Sequence, residues 1–444
     1  MRAPLSSVPC GPGSARLSMI VIRNTQLLVN PLATRALAVP LRRRLLSTLG
    51  PGLLVMLADT DAGSIITAAQ SGAQWGYKLL ALQFLLIPVL FIVQELTLRL
   101  GLVTGRGHGE LIRIAFGRSW AWLSVGTLVL ACVGAIVTQL SGLAGIASLF
   151  SLSAPWMMAG VIALLLLMTW LGSYHVVERI AIALGLFELA FVAVAWRAHP
   201  SVPEIAAQLA EAPLTDPKYL YLVAANLGAV IMPWMIFYQQ SAVLDKGLGP
   251  ADLTLARWDT AFGAVVTQLI MASVLIAVAA TVGQSNPDTP LRDVPEIAHA
   301  LISFLGDDVG RLVFAAGMAG AALVATIVVC LTAAWGIGEV AGYKRSLKHR
   351  PREAPWFYGI FSACLVAGGV LVASGVNLVE LSVAVEVMNA LLLPVVLGFL
   401  YILALRTLPE PYRLHGVYKW VVGAVVLVTA GFGFYAGIAG AFGG

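Results

Sequence analysis

From residue 50 to the end of the chain, long apolar runs alternate with short polar turns. A helix needs about 20 apolar residues to cross a bilayer. Eleven runs qualify: 50–73, 78–100, 119–148, 155–173, 177–197, 218–243, 259–283, 309–340, 355–375, 378–406 and 417–440. No soluble domain separates them. The pattern predicts an all-α polytopic membrane protein with eleven transmembrane helices.

The polar interruptions carry the most information. Within Leu53–Gly76, which reads LLVMLADTDAGSIITAAQSGAQWG, two carboxylates stand mid-run, Asp59 and Asp61, followed by Ala62, Gly63 and Ser64. An intramembrane carboxylate is costly and normally faces a bundle interior or watery cavity, with a partner. Gly63 is expected to let the backbone leave the helix, exposing carbonyls beside carboxylates as in discontinuous helices that bind cations. The plainer alternative is a kink with a solvated or paired Asp. Asp59 would face elsewhere on a regular helix, although unwinding could swing it toward an ion.

The sixth run, Asn226–Val243, reads NLGAVIMPWMIFYQQSAV. Pro233 removes a backbone donor and clashes with the preceding turn, so a break is expected near Met232–Pro233. Runs one and six are five helices apart, and an odd offset inverts the second half. This predicts a 5+5 inverted repeat with the site between two broken helices; the alternative is two unrelated kinks. The expected division is a ten-helix core over 45–406, with repeats at about 45–197 and 218–406, then an eleventh helix and C-terminus over 407–444.

Composition agrees. Of 444 residues, 59% are hydrophobic and 11% charged, and mean hydropathy is +0.90; soluble proteins of this size are not so apolar. With a cytosolic N-terminus, all 27 Lys and Arg lie inside except Lys78, Arg197, Lys218, Arg292 and Arg311. That asymmetry obeys the positive-inside rule and places the C-terminus outside. The long outer loops carry Glu204, Glu211 and Asp216, and Asp288, Asp293, Glu296, Asp307 and Asp308, which predicts an acidic vestibule that concentrates cations. Residues 1–44 hold seven arginines and no acid. They read as a disordered basic cytosolic tail, with a targeting segment or a start at Met19 as alternatives. Cys132, Cys330 and Cys364 lie in apolar runs without metal or disulfide spacing and read as packing residues.

Among the other polar groups, Glu95 is expected to pair with Arg99 one turn away. Thr138 and Gln139 are expected to make ordinary interhelical hydrogen bonds. Glu188 and Gln268 are ambiguous, while Glu386, with Asn389 a turn later, is a functional candidate. Gly134, Gly142 and Gly145 suit close helix packing. The six histidines fall in loops or at helix ends, none buried enough for a proton relay. The absence of a phosphate-binding loop or nucleophile motif gives no support to an ATP-driven pump or enzyme. No cofactor or nucleic-acid partner is indicated, and the basic cluster Lys344–Arg352 reads as an inside loop. The expected partners are the lipid bilayer and a transported ion; oligomeric state is left open.

Several motifs, in order, resemble the NRAMP family of divalent-metal transporters. Gly50-Pro51-Gly52 and Asp61-Ala62-Gly63-Ser64 resemble its GPG and DPGN motifs, and Gln70, Gly72 and Ala73 continue in register. Ala229-Val230-Ile231-Met232-Pro233 resembles the AVIMP segment that precedes a histidine. Leu100-Gly101-Leu102-Val103-Thr104-Gly105 with Glu110 resembles LGVVTG. The resemblance implies a LeuT-type core that moves divalent metal ions by alternating access. By position, it implies that Asp61 and Met232 are ligands, that Ala229 offers its carbonyl, and that Ser64 stands for an asparagine. Glu386 falls on a helix 10 glutamine that can join the shell.

Three titratable positions of the usual pattern are absent. Trp234 replaces the histidine, and Gln139 and Gly142 stand where the third helix carries an acidic pair. That argues against the usual proton coupling. Small residues around Asp61 suit a partly hydrated ion such as Mg²⁺, similar to the NRAMP-related magnesium transporters. Met232 instead favours Mn²⁺, Fe²⁺ or Co²⁺. The alternative cargo is an organic substrate such as an amino acid with a coupling cation. The membrane implied is the inner (plasma) membrane of a bacterium.

Overall fold

The computed structural model describes residues 50–172, 174–285, 289–302, 306–373 and 378–442. The expected tail over 1–44 lies outside the described residues. Span 1 is a pair of helices, α1 (Pro51–Asp59) and α2 (Ala62–Trp75), bent by 48°. Span 2 is α3 (Leu80–Thr104), followed by the short α4 (His108–Phe116). Spans 3 and 4 are α5 (Arg118–Leu149) and α6 (Ala154–Leu171). Span 5 is α7 (Tyr174–Gly185), a 3-10 turn over Leu186–Leu189, and α8 (Ala190–Arg197).

After α9 (Val202–Gln208) comes span 6, formed by α10 (Pro217–Val230) and α11 (Pro233–Lys246). Span 7 is α12 (Leu253–Ala279); α13 (Val282–Ser285) and α14 (Val294–Ile302) lead to span 8, α15 (Asp307–Ala341). Spans 9 to 11 are α16 (Pro355–Val372), α17 (Leu378–Thr407) and α18 (Gly416–Phe442). Spans 2 to 11 are each long and apolar enough to cross a membrane, and span 1 makes eleven with α1 and α2 taken together. The chain is an all-α integral membrane protein. The expected count holds; the short helices α4, α9, α13 and α14 add structure to the connections.

Burial explains the all-round apolar spans. The apolar window of span 6 is 94% buried and that of span 4 only 17%, so the broken helices fill the centre and span 4 lies outside. A helix surrounded by others needs no polar face. Across the two halves, equivalent spans pack together: α3 on α12, α5 on α15, and α6 on α16. Gly134, Gly142 and Gly145 do serve close packing, with a side chain at each position blocked by Val385, Ala62 and Val294 respectively.

Each half-helix begins where its sequence supplies a cap. Gly50 adopts φ 134°, open to glycine alone, and Pro51 then starts α1, a position proline favours. Asp259 of α12 caps this end: its Oδ2 accepts from the amides of Gly50, Gly52 and Leu53 at 3.1, 2.8 and 3.2 Å. Asp61 is extended (φ −72°, ψ 175°) and caps α2, Oδ1 accepting from the Ser64 amide at 2.7 Å. The break therefore falls at Thr60–Asp61. Gly63, expected to unwind the chain, lies inside α2. In span 6, Ile231 and Met232 leave the helix before Pro233 restarts it, at the expected position.

The two ends of the bundle are held differently. At one end, Arg99 and Arg257 both reach Glu95, at 2.8 and 2.6 Å. Glu110 pairs with Arg106 and Arg345, at 2.5 and 3.0 Å, and Lys246 pairs with Glu178 at 2.8 Å. Glu339 accepts from the Gly109 amide at 2.8 Å and the Ser241 hydroxyl at 2.6 Å. This basic end also buries His108 completely, against Phe237; no histidine was expected to be so buried. At the opposite end, alongside the partly exposed Lys78–Glu211 pair, neutral groups join the buried helices. Gln70 and Leu291 exchange side chain-to-backbone bonds at 2.6 and 3.1 Å, and Asn226 donates to Ser71 at 2.8 Å.

Candidate functional site

The two breaks meet at the centre. The Ser64 hydroxyl donates to the Ala229 carbonyl at 3.2 Å, which joins the start of α2 to the end of α10. That carbonyl is one of the last in its half-helix and lacks a helical donor. Gly228 packs backbone to backbone against α17: an added Cβ would stand 1.8 Å from the Glu386 carbonyl. So Glu386 enters from α17 beside Ala229. Asp61 and Met232 are wholly buried, and Ala229 and Glu386 are 1% exposed.

The Asp61 carboxylate is held entirely by neutral donors. Besides the Ser64 amide on Oδ1, the Gln139 amide donates to Oδ2 at 2.6 Å, while Gln139 Oε1 accepts from the Ala62 amide at 2.9 Å. Gln139 thus makes the expected interhelical hydrogen bonds, and makes them to both sides of the Asp61–Ala62 break. Glu386 Oε2 accepts from Asn389 at 2.9 Å, and Oε1 accepts no hydrogen bond among the described residues. Gly63 leaves the space between the carboxylates open. The point its Cβ would occupy lies 2.4 Å from Glu386 Oε1, 3.3 Å from Thr138 Oγ1 and 3.4 Å from Asp61 Oδ1. Three oxygens thus surround a volume that any side chain at residue 63 would fill.

Met232 is buried at the span 6 break, where it stands just before α11, and its sulfur accepts from the Trp234 indole N–H at 2.9 Å. The residue that replaces a histidine thus occupies the thioether. Of the expected set, Asp61, Ser64, Ala229 and Glu386 are brought together, with Thr138, Gln139 and Asn389 beside them, while Met232 stands at the span 6 break three residues after Ala229. Among the described residues, no three His, Cys, Asp or Glu side chains form a ready cage for a metal. An ion here would need carbonyl, hydroxyl or water oxygens as well.

A cavity of about 500 Å³ opens toward the neutral end, between α2, α10 and α17, and reaches Gln70, Leu222 and Val383. These lie within about 10 Å of Ser64, Ala229 and Glu386 along their helices, at 1.5 Å per residue. Its charged lining is Lys218, Arg292 and Glu380. The acidic vestibule expected from loop composition is therefore not the lining of this cavity; Glu211, for one, pairs with Lys78 at 3.0 Å.

The natural resistance-associated macrophage protein-like (Nramp) family model matches residues 52–439. The chain belongs to the Nramp family. The divalent metal cation transporter MntH of Brucella suis biovar 1 (strain 1330) is 28% identical over 298 residues, 64% of this chain and 65% of that protein. A crystal structure of the Eremococcus coleocola manganese transporter superposes with TM-score 0.71 at 19% identity, covering 94% of this chain and 92% of that one. MhsT in complex with L-phenylalanine also matches, with TM-score 0.59 at 14% identity over 88% of this chain and 98% of its own.

Nramp membership accounts for the fold; a fold by itself does not choose a cargo. Within this Nramp chain the choice rests on the groups at the two breaks. Their oxygens are anionic or neutral, and the N-terminus of α2 is already capped by Asp61.

Proposed function

We propose that this Nramp-family chain is a secondary transporter of divalent metal cations, working by alternating access, with Asp61, Ser64, Ala229, Met232 and Glu386 lining the ion's site. One observation carries the reading: two buried carboxylates, Asp61 and Glu386, border one gap, and Glu386 keeps an oxygen with no donor among the described residues. A buried charge needs a counter-charge, and a divalent cation would neutralise both. An amino-acid cargo fits poorly. Substrate carboxylates in such folds meet free half-helix N-termini, and Asp61 occupies the one at α2.

The geometry also supports transport without the usual proton coupling. Gln139 and Trp234, which contact Asp61 and Met232, do not titrate near neutral pH. Oxygens dominate the site and the one thioether is engaged by an indole, so Mg²⁺ as well as Mn²⁺ is an admitted cargo. The basic end faces the cytosol in this reading, with the C-terminus outside and the chain in a bacterial inner membrane.

The test is uptake into proteoliposomes, with Mg²⁺, Mn²⁺ and internal pH followed in parallel. Entry of both ions at constant internal pH is expected. Acidification in step with Mn²⁺, without Mg²⁺ entry, would overturn the coupling and cargo readings. Asp61→Ala is expected to abolish uptake in a protein that still inserts; retained uptake would remove Asp61 from the site.

A further inference from the structure

On the other side of the span 1 break lie two more buried carboxylates, one on each side of Thr60's contacts. Asp59 ends α1 and is 2% exposed; Glu188, in the 3-10 turn of span 5, is fully buried. Thr60 joins them. Its hydroxyl bonds to the Leu57 carbonyl at 2.9 Å and contacts Glu188 Oε2. Asp59 Oδ1 and Glu188 Oε1 are buried and accept no hydrogen bond among the described residues. The negative end of α1, with its last carbonyls, lies beside the same groups.

Such a pair cannot stay charged and unmatched in an apolar interior. Its donors are all oxygens, which select a hard cation, and two carboxylates match a divalent charge better than a monovalent one. Its place is also specific. The site at Asp61 lies beyond the break, at the start of α2. From Asp59, α1 leads back to Gly50 at the basic end. Ten residues before Glu188, about 15 Å along span 5 at helical rise, Glu178 forms the ion pair with Lys246 that covers Gly50.

We propose that Asp59, Thr60 and Glu188 form a second station for the transported divalent cation, between the Asp61 site and the basic end. This rests on the transport reading above. The ion would pass from Asp61 and Glu386 to Asp59 and Glu188, each station offering a carboxylate pair. Ions in both stations repel, so arrival of one favours departure of the other, as between adjacent sites in channels. The 3-10 turn brings Glu188 to the break, and span 5 thereby joins a path lined also by spans 1, 3, 6 and 10.

The experiment is equilibrium binding of Mn²⁺ alone to the purified full chain, paired with proteoliposome uptake. The unmodified protein is expected to bind a second equivalent of Mn²⁺ at saturation. Glu188→Gln, which keeps shape and one acceptor, should bind one equivalent and take up Mn²⁺ about tenfold more slowly, a change worth about 1.4 kcal/mol. Asp61→Ala should also bind one equivalent, but without transport. A single equivalent in the unmodified protein overturns the proposal, whether or not Glu188→Gln folds. So does Glu188→Gln with unaltered stoichiometry and uptake. Transport surviving Asp61→Ala would instead sink the primary reading, so the two failures are distinguishable.

Discussion

At the residue scale, the arrangement turns on what surrounds Asp61. Glycine at position 63 matters for space, since a methyl group there would stand 2.4 Å from Glu386 Oε1. Gly63→Ala should therefore displace the Glu386 carboxylate and cut uptake at least tenfold. Because that carboxylate ends a flexible side chain, thermal unfolding should show a loss of only about 1 kcal/mol. A large stability loss with unchanged metal affinity would mean that Gly63 serves packing alone. Gln139 supplies the second residue-scale prediction. It donates to Asp61 at 2.6 Å, so Gln139→Glu would set two carboxylates at hydrogen-bond distance, where they must share a proton. Uptake by this variant should depend on pH more steeply than that of the parent over roughly pH 5 to 8 in parallel flux assays. That Asp61, Ser64, Ala229 and Glu386 meet was legible because each stands in a motif or interrupts an apolar run. Gln139 was legible only as the residue in place of a helix 3 acid; its bond to Asp61 was not, since a lone glutamine in a helix has many neutral partners and only the crossing of α5 over the break selects Asp61. Residue 63 was read for its backbone freedom, whereas its function is spatial.

At the element scale, half-helices behave as units because each is capped separately. Asp259 holds the start of α1 and Asp61 the start of α2, so α1 can tilt without unravelling α2. What restrains α1 at the basic end is the Lys246–Glu178 pair, whose side chains are 5% and 7% exposed, packed over Gly50. Removing one partner of such a buried pair takes away its attraction and its packing over Gly50, which is costly. Glu178→Ala should thus raise amide hydrogen exchange across Pro51–Asp59 and leave Ala62–Trp75 near parental rates, as mass spectrometry would report. Equal gains in both segments would show general loosening and remove the case for α1 as a separate moving part. The helices themselves were readable because a central span is apolar all round and a peripheral one faces lipid, and both give long hydrophobic runs. The connections were not: α4, α9 and α14 are too short to announce themselves by periodicity. Only the fold shows that the cavity at the neutral end is lined by Lys218, Arg292 and Glu380 and not by the acids of the outer loops.

For the whole molecule, the two ends close by different chemistry, and this predicts how stability responds to acid. At the neutral end the buried bonds between helices are amide and hydroxyl bonds, which do not titrate, and its Lys78–Glu211 pair is partly exposed. The basic end buries His108 edge-on against Phe237, with ring centroids 4.8 Å apart, and burial lowers its pKa from 6.5 to about 4. A depressed histidine pKa means that the folded state resists taking up a proton that the unfolded chain accepts. Stability is then complete above pH 6.5, and it declines as the pH falls toward 4, where the folded protein is protonated as well. A shift of this size corresponds to roughly 3 kcal/mol across that window. Thermal unfolding of the purified protein should fall in midpoint from pH 7 to pH 4.5, and His108→Leu should flatten that slope while keeping the burial. Because His108 begins α4, which carries the Gly109 amide to Glu339 and Glu110 to Arg345, protonation should loosen the basic end first. Hydrogen exchange at low pH should therefore rise in α4 and α11 before α2, and the reverse order would assign the acid sensitivity to the neutral end.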